Sequence, residues 1–319
     1  MVRISDGKAT EMMGPKADET APVRERTCVI TGATSGIGRA TAMALAKQGA
    51  RLILVGRNES RGEALSSCIR RQYGSDMAQF IRSDLTSERD VESLAAGIGR
   101  RFSVIDVLVN NAGARFDTYG ANPDGIERTF AGNHLGHFLL TALLLERLLR
   151  SPGGRIITLG SGAHGVTPPA GWMLTAANYD RKLAYGGSKL ANIMFAYELA
   201  RRLTGTAVTV NAFDPGGVAT RLGLNNGLGA WLKHIGYYVA KRQLLTSHRA
   251  GQDLSYLCTA PELRGQTGGY YSGRQRIQSS PLSLDPSLSR ELWRISVEKT
   301  HLNAGRLGEA WRYFVPVGG

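Results

Sequence analysis

Long apolar runs are the first thing this chain of 319 residues lacks. No window of 18 or more apolar residues occurs, so no transmembrane segment is expected, and the N-terminus has no apolar core of the signal-peptide kind. Cysteine is scarce. Cys28, Cys68 and Cys258 are odd in number and show neither Cys-x-x-Cys nor interleaved histidine spacing. That excludes a disulfide framework and gives no zinc signature, so no metal is expected and a reducing, cytoplasmic setting is. Acidic residues are also in deficit, 26 against 39 basic ones, for a net charge of +13. Such a surplus invites a nucleic-acid partner. The lysines and arginines are scattered, however, and no helix-turn-helix, zinc-finger or RNA-binding signature accompanies them, so none is expected. The remaining balance, 42% hydrophobic and 20% charged residues, is that of a soluble globular protein able to bury a core without staples.

Residues 1–26 carry Gly, Pro, Lys, Glu and Asp without periodicity and read as a flexible N-terminal extension. Thr27–Thr31 then reads as a short buried strand. It runs at once into Gly32-Ala33-Thr34-Ser35-Gly36-Ile37-Gly38-Arg39 and an alanine-rich helical pattern to Gly49. A strand, a glycine-rich turn and a helix N-terminus make an anion-binding corner, because glycines let backbone N–H groups approach a pyrophosphate and the helix dipole favours its charge. A second strand, Arg51–Gly56, ends at Arg57, where an NAD site usually places a carboxylate for the ribose 2′-hydroxyl. Arg57, with Arg39, would instead pair with a 2′-phosphate, which argues for NADP.

Strands and helices keep alternating. Helices are expected near Glu59–Tyr73 and Ser87–Arg101, and strands over Ala78–Ser83, Val104–Val109, Arg155–Gly160, Ala207–Phe213 and Gly269–Tyr271. That order means an α/β fold, a single-domain Rossmann-type doubly wound sheet of about seven parallel strands with helices on both faces. Ligands bind at the carboxyl ends of such strands. There stand Asp84 and Leu85, with Asp84 either meeting the adenine or capping the next helix; Asn110, Asn111, Ala112 and Gly113; Ser161; and Pro215, Gly216, Val218 and Thr220. A helix running to Leu149 contains Gly132, Asn133 and Gly136, poor mid-helix residues that predict a kink. Residues 221–243 are apolar and irregular and read as a substrate lid, or as a dimer contact, or as a surface-lying helix in weak contact with a membrane through Lys233, Lys241 and Arg242. Residues 273–319 form a C-terminal tail with a helix near Leu288–Glu298. A Ser161–His164 hydrolase pair is the weaker alternative, because no Gly-x-Ser-x-Gly elbow is present.

Tyr185-Gly186-Gly187-Ser188-Lys189 carries the chemistry. On a helix Tyr185 and Lys189 share a face, and a nearby ammonium lowers the pKa of a phenol from about 10 toward neutrality. Such a tyrosine can exchange a proton with a substrate oxygen.

With these pieces in order the chain resembles the short-chain dehydrogenase/reductase family. The resemblance is carried by Thr31-Gly32-x-x-x-Gly36-x-Gly38, Asn110-Asn111-Ala112-Gly113, Asn133, Ser161, Tyr185-x-x-x-Lys189 and Pro215-Gly216-x-Val218-x-Thr220, and it spans Thr27 to about Thr300. Within the family, Asn133-His134-Leu135-Gly136-His137-Phe138, the run Ser188-Lys189-Leu190-Ala191-Asn192 and Leu292-Trp293 are similar to the retinol dehydrogenase branch, which includes the WW-domain oxidoreductases. Gly160 and Asp214 depart from that branch, which usually has Ser and His there, and its apolar N-terminal anchor has no counterpart.

The resemblance implies a catalytic set of Asn133, Ser161, Tyr185 and Lys189. Tyr185 exchanges the proton, Ser161 hydrogen-bonds the substrate oxygen, Lys189 also holds the nicotinamide ribose, and Asn133 positions a water in a proton relay. It further implies NADP-dependent interconversion of a lipophilic carbonyl and alcohol, and a homodimer or homotetramer through the helices beginning near Arg128 and Tyr185; the reducing direction is expected because cytoplasmic NADP pools are largely reduced. The rival readings are an NAD-linked alcohol dehydrogenase and a non-catalytic, nucleotide-sensing interaction protein.

Overall fold

The computed structural model describes residues 25–218 and 244–316. The expected extension up to residue 24, the lid at 221–243 and Thr220 lie outside the described residues. In chain order the first elements are β1 (Thr27–Thr31), α1 (Gly36–Lys47), β2 (Arg51–Gly56), α2 (Glu59–Tyr73), β3 (Ala78–Arg82), α3 (Glu88–Arg101) and β4 (Val107–Asn110). Then come α4 (Arg128–Phe130), a π-helical turn (Ala131–Leu135), α5 (Gly136–Leu149), β5 (Arg155–Leu159), α6 (Arg181–Arg202) and β6 (Thr209–Asp214). After the short strand β7 (Gly217–Val218), which pairs with β8 (Leu244–Leu245), follow α7 (Ser247–Thr259), β9 (Gly269–Ser272), β10 (Gln275–Ile277), α8 (Pro286–Lys299) and α9 (Ala304–Leu307).

The main sheet has the order β10-β9-β6-β5-β4-β1-β2-β3, parallel throughout except for β10, which runs antiparallel to β9. Strand order reverses between β1 and β4, and that switch point opens a crevice at the strands' carboxyl ends. Sheet residues are apolar on both faces because helices cover both. In β1, Val29 faces a core shared with α3, α5 and α6, while Cys28 and Ile30 face a second core shared with α1, α2 and α7.

The seven parallel strands expected are there, and β10 adds an eighth, antiparallel one at the edge. Gln275, Arg276 and Ile277 are all exposed, so β10 lacks the alternation that marks a half-buried strand. The helix expected to begin near Tyr185, α6, starts one turn earlier, at Arg181, because Asp180 caps it by accepting from Lys182 N at 2.7 Å and Leu183 N at 2.8 Å. The helix kink expected around Gly132–Gly136 is there and takes the form of the π-helical turn.

The C-terminal tail packs on α5 and α6. Trp293 is buried among Phe138, Phe195 and Phe314, its Nε1 donates to Phe314 O at 3.0 Å, and the Arg202 guanidinium lies 4.1 Å above its ring. Replacing a buried aromatic of this size by alanine removes apolar burial and leaves a cavity. Trp293→Ala should therefore lower the unfolding free energy by about 3–5 kcal/mol, measured by urea denaturation; a loss below about 1 kcal/mol would mean that the tail is not docked.

Candidate active site

At the corner between β1 and α1, Gly32 and Gly36 take the left-handed φ values of +65° and +52°. A Cβ at Gly32 would lie 2.8 Å from Ala112 Cα, so the turn packs directly on the exit of β4. Asn111 Nδ2 donates to Thr31 O at 2.7 Å, and the amides of Asn111 and Ala112 both donate to Thr31 Oγ1 at 2.9 Å. The N-terminus of α1 differs from the others. α2, α3 and α6 are capped by Asn58, Ser87 and Asp180, whereas Ser35 makes no side-chain cap and no acidic residue stands in the first turn. Amides left uncapped at a helix N-terminus suit an anion such as a pyrophosphate, so residues 31–38 fit a dinucleotide. Ile37 and Gly38 are buried behind this corner and Arg39 is exposed at its edge.

A cleft of about 240 Å³ beside β2 and β3 is lined by Arg57, Arg82, Ser83, Asp84 and Asp90. Arg57 Nη1 lies 4.0 Å from Asp84 Oδ2, both largely exposed. Asp84 does not cap α3; Ser87 does, while Asp84 Oδ1 accepts from Thr86 N and Oγ1, each at 3.0 Å. Leu85 is buried beneath this rim. Arg82, which points into the same cleft as Arg57, was missed from the sequence, although its place at the end of β3 was the available signal.

The reacting end is built where β4, β5, the π turn and α6 meet. A Cβ added at Gly113 would lie 3.6 Å from both Asn133 Oδ1 and Lys189 Nζ, so these three converge. The Asn133 amide pairs with the Ala114 backbone, accepting from its N at 2.8 Å and donating to its O at 2.9 Å, and donates to Ser188 Oγ at 3.0 Å. Ser188 in turn donates to Tyr185 O at 2.8 Å. At Gly186 a Cβ would lie 2.7 Å from Ala163 O, which brings the Ser161 turn against the Tyr185 turn of the helix. Lys189 Nζ sits 5.8 Å from the Tyr185 ring centre and donates to Leu159 O at 3.0 Å. Burial pulls the Lys189 pKa down to about 8, against the raising effect of Asp214.

Asp214 closes the far wall. Its Oδ1 accepts from Gly216 N at 2.8 Å and its Oδ2 from Tyr270 OH at 3.0 Å. Pro215, Gly216 and Val218 follow at the exit of β6, with Val218 buried. Ser161 Oγ accepts from Ala163 N at 3.2 Å, which leaves the hydroxyl hydrogen free to face a ligand. His164 does not reach that hydroxyl. Its Nε2 accepts from Ser280 N at 2.8 Å, so Nδ1 carries the hydrogen and donates to the Ser161 carbonyl at 2.7 Å. The hydrolase alternative is thereby removed.

His137 was also missed. Its Nδ1 lies 3.0 Å from Asn133 O, an atom that only accepts, so Nδ1 carries the hydrogen and Nε2 receives the Thr31 hydroxyl at 2.9 Å. One ring thus ties the π turn to the dinucleotide corner. Its signal in the sequence was a histidine one helical turn beyond Asn133.

Residues 26–228 match the family model described as short chain dehydrogenase. Retinol dehydrogenase 13 of Homo sapiens is 35% identical over 306 residues, covering 93% of this chain and 91% of that protein. Among solved structures, an uncharacterized protein from Mycobacterium paratuberculosis matches with a TM-score of 0.68 at 30% identity, over 88% of this chain and 96% of that one. A short chain dehydrogenase from Shigella flexneri, complexed with NADP, gives a TM-score of 0.63 at 25% identity, over 79% of this chain and 98% of that one.

Two of the buried histidines, His134 and His137, make the fold sensitive to acid. Burial lowers His134 to about 3 and His137 to about 4, while the same side chains in an unfolded chain take up a proton near 6.5. In that interval the unfolded state binds more protons, so stability falls as pH drops below about 6.5. Urea unfolding at pH 5 should give a free energy at least about 2 kcal/mol below that at pH 7. Equal values would mean that the rings are charged in the folded chain.

Proposed function

The chain belongs to the short-chain dehydrogenase family, on its retinol dehydrogenase-like branch, and from that premise we propose an NADP-dependent reductase of lipophilic carbonyls, working in a reducing, cytoplasmic setting that suits its three free cysteines. Carbonyl/alcohol oxidoreduction is the chemistry of the family. The observation that carries the assignment to these residues is the convergence of Asn133, Lys189 and Gly113 beside the Ser161 and Tyr185 turns. A bound nicotinamide supplies or accepts the hydride. Tyr185 gives the proton to the carbonyl oxygen, and Ser161 donates a hydrogen bond that stabilises charge developing there. Lys189 keeps the phenol acidic and holds the nicotinamide ribose hydroxyls. Asn133 fixes the loop at Ala114 and, from the π turn, places the water through which Lys189 regains its proton.

The corner from Thr31 to Gly38 would hold the cofactor's phosphates, and Arg57 and Arg39 its 2′-phosphate, with Arg82 lining the same cleft as Arg57. The Arg57–Asp84 pair is exposed, so water screens it and little is lost when Arg57 turns to a phosphate. Asp84 and Leu85 would border the adenine, Asn111 to Gly113 the sugar, and Pro215, Gly216 and Val218 the nicotinamide; Thr220, assigned to the same end, lies outside the described residues. The Shigella flexneri neighbour in complex with NADP supports this choice. One observation favours the NAD-linked alternative: the Asp84 and Asp90 carboxylates, which a 2′-phosphate in this cleft would face.

The lipophilic substrate is proposed from the name of the human relative, with the segment 221–243 as its lid. No helix of the described residues is long and apolar enough to cross a membrane, and contact with one is assigned to that same segment. A homodimer or homotetramer through α5 and α6 has to form with the tail in place, because Trp293 and Phe314 already cover Phe138 and Phe195 there.

Tyr185→Phe should lower kcat by about 10²–10⁴-fold with NADPH binding, followed by fluorescence, within about twofold; wild-type turnover in that variant would sink the assignment. Arg57→Ala should reduce the preference for NADPH over NADH in kcat/KM by about 10-fold or more, the worth of a charged hydrogen bond. An unchanged ratio would remove the 2′-phosphate argument.

A further inference from the structure

His134 lies in the π turn, one turn before His137 of α5, and no step above uses it. Its ring is 1% exposed and faces away from the crevice, toward α8. Nδ1 lies 3.3 Å from Asn192 Oδ1 and Nε2 lies 2.8 Å from Ser296 Oγ. The direction of these bonds follows from Asn192. Its Nδ2 is committed to Leu159 O at 3.1 Å, which leaves Oδ1 facing the ring as an acceptor. Nδ1 of His134 therefore carries the hydrogen, and Nε2 of the neutral ring receives the Ser296 hydroxyl. The Leu292 carbonyl, 2.7 Å from that hydroxyl, is a competing acceptor, but a ring nitrogen without a hydrogen, 2.8 Å away, can bond the hydroxyl only by receiving it. Four groups thus point one way, from Ser296 to His134, to Asn192, to the Leu159 carbonyl. That same carbonyl is the atom to which Lys189 Nζ donates at 3.0 Å.

We propose that Ser296, His134 and Asn192 are positioning residues of the active site, and that through them the C-terminal helix sets the acceptor that holds the Lys189 ammonium. The chain is almost wholly buried, where hydrogen bonds are strong and a missing partner is costly. Leu159 is the last residue of β5, and the next amide, Gly160 N, is held by Phe213 O at 2.9 Å. The peptide is thus fixed on both sides, by β6 and by Asn192. Three further groups bear on Lys189: the Asp214 carboxylate at the end of β6, neutral His137 on α5 and the Tyr185 ring on its own helix. Of these only His137 acts on a member of the chain from Ser296, His134, and Ser296→Ala leaves the bonds of His137 itself to Asn133 and Thr31 in place.

The inference rests on Lys189 belonging to a hydride-transfer site, yet its test needs no turnover. The Lys189 side chain is titrated by heteronuclear NMR in the full-length, NADPH-bound protein, its signal assigned by its absence in Lys189→Arg. Ser296→Ala leaves His134 Nε2 without its donor and lets the Asn192 amide turn. The titration midpoint should then fall by half a pH unit or more, because an ammonium that loses its fixed acceptor keeps only the burial that disfavours its charge. Ser296→Thr restores the hydroxyl and should restore the midpoint. Val297→Ala loosens the same helix without touching the chain and should leave the midpoint in place. A midpoint unmoved or raised in Ser296→Ala, or an equal fall in Val297→Ala, overturns the proposal. If the midpoint behaves as stated while no carbonyl is reduced, the positioning chain stands and the reductase assignment fails.

Discussion

Lys189 is a cation with 4% of its surface exposed, placed where the end of β5 meets α6. An isolated ammonium in an apolar interior is so costly that it would shed its proton, so it is kept charged only by groups that turn toward it. Here those groups are the Leu159 carbonyl and, more distantly, the Asp214 carboxylate, itself held by Tyr270 and Gly216. The surrounding structure can be understood as the means of keeping them in place. Gly186 brings the helix within backbone contact of the Ser161 turn, where any larger residue would hold the two apart. Asn192, one turn beyond Lys189, fixes the carbonyl that Lys189 needs.

The π-helical turn has a matching part. It directs the Asn133 side chain to the Ala114 backbone and to Ser188, while its main-chain carbonyl meets His137. His137 continues to Thr31, and Thr31 to the amides of Asn111 and Ala112. The glycine corner, the exit of β4 and α6 are thereby joined by one largely buried set of hydrogen bonds. Both histidines are neutral there because burial refuses them a second proton. Such a set rigidifies what it joins when every member is satisfied.

Much of this was legible in the sequence. β1, β2 and β5 are continuous apolar runs, as strands covered on both faces must be, and the glycines of the corner mark the one place where backbone has to approach a ligand closely. Gly132, Asn133 and Gly136 marked the irregular turn, because a good helix would not hold them. What stayed hidden has physical causes. β10 is an exposed edge strand with no buried face to pattern its residues. α6 begins at Arg181 behind its cap Asp180, a signal read only by looking one turn back from Tyr185. His134, His137 and Ser296 look like ordinary packing residues, since their value lies in partners more than a hundred positions away in the chain.

The central claim is that the Lys189 charge makes the Tyr185 phenol an acid usable near neutral pH. Phenolate absorbance in the ultraviolet, titrated in the protein and subtracted from the same titration of Tyr185→Phe, isolates that one group. One phenol should ionise at least about one pH unit below the ordinary tyrosine value of about 10, and it should return toward that value when Lys189→Met removes the charge. A difference curve centred near 10, or one that Lys189→Met leaves in place, would contradict the account.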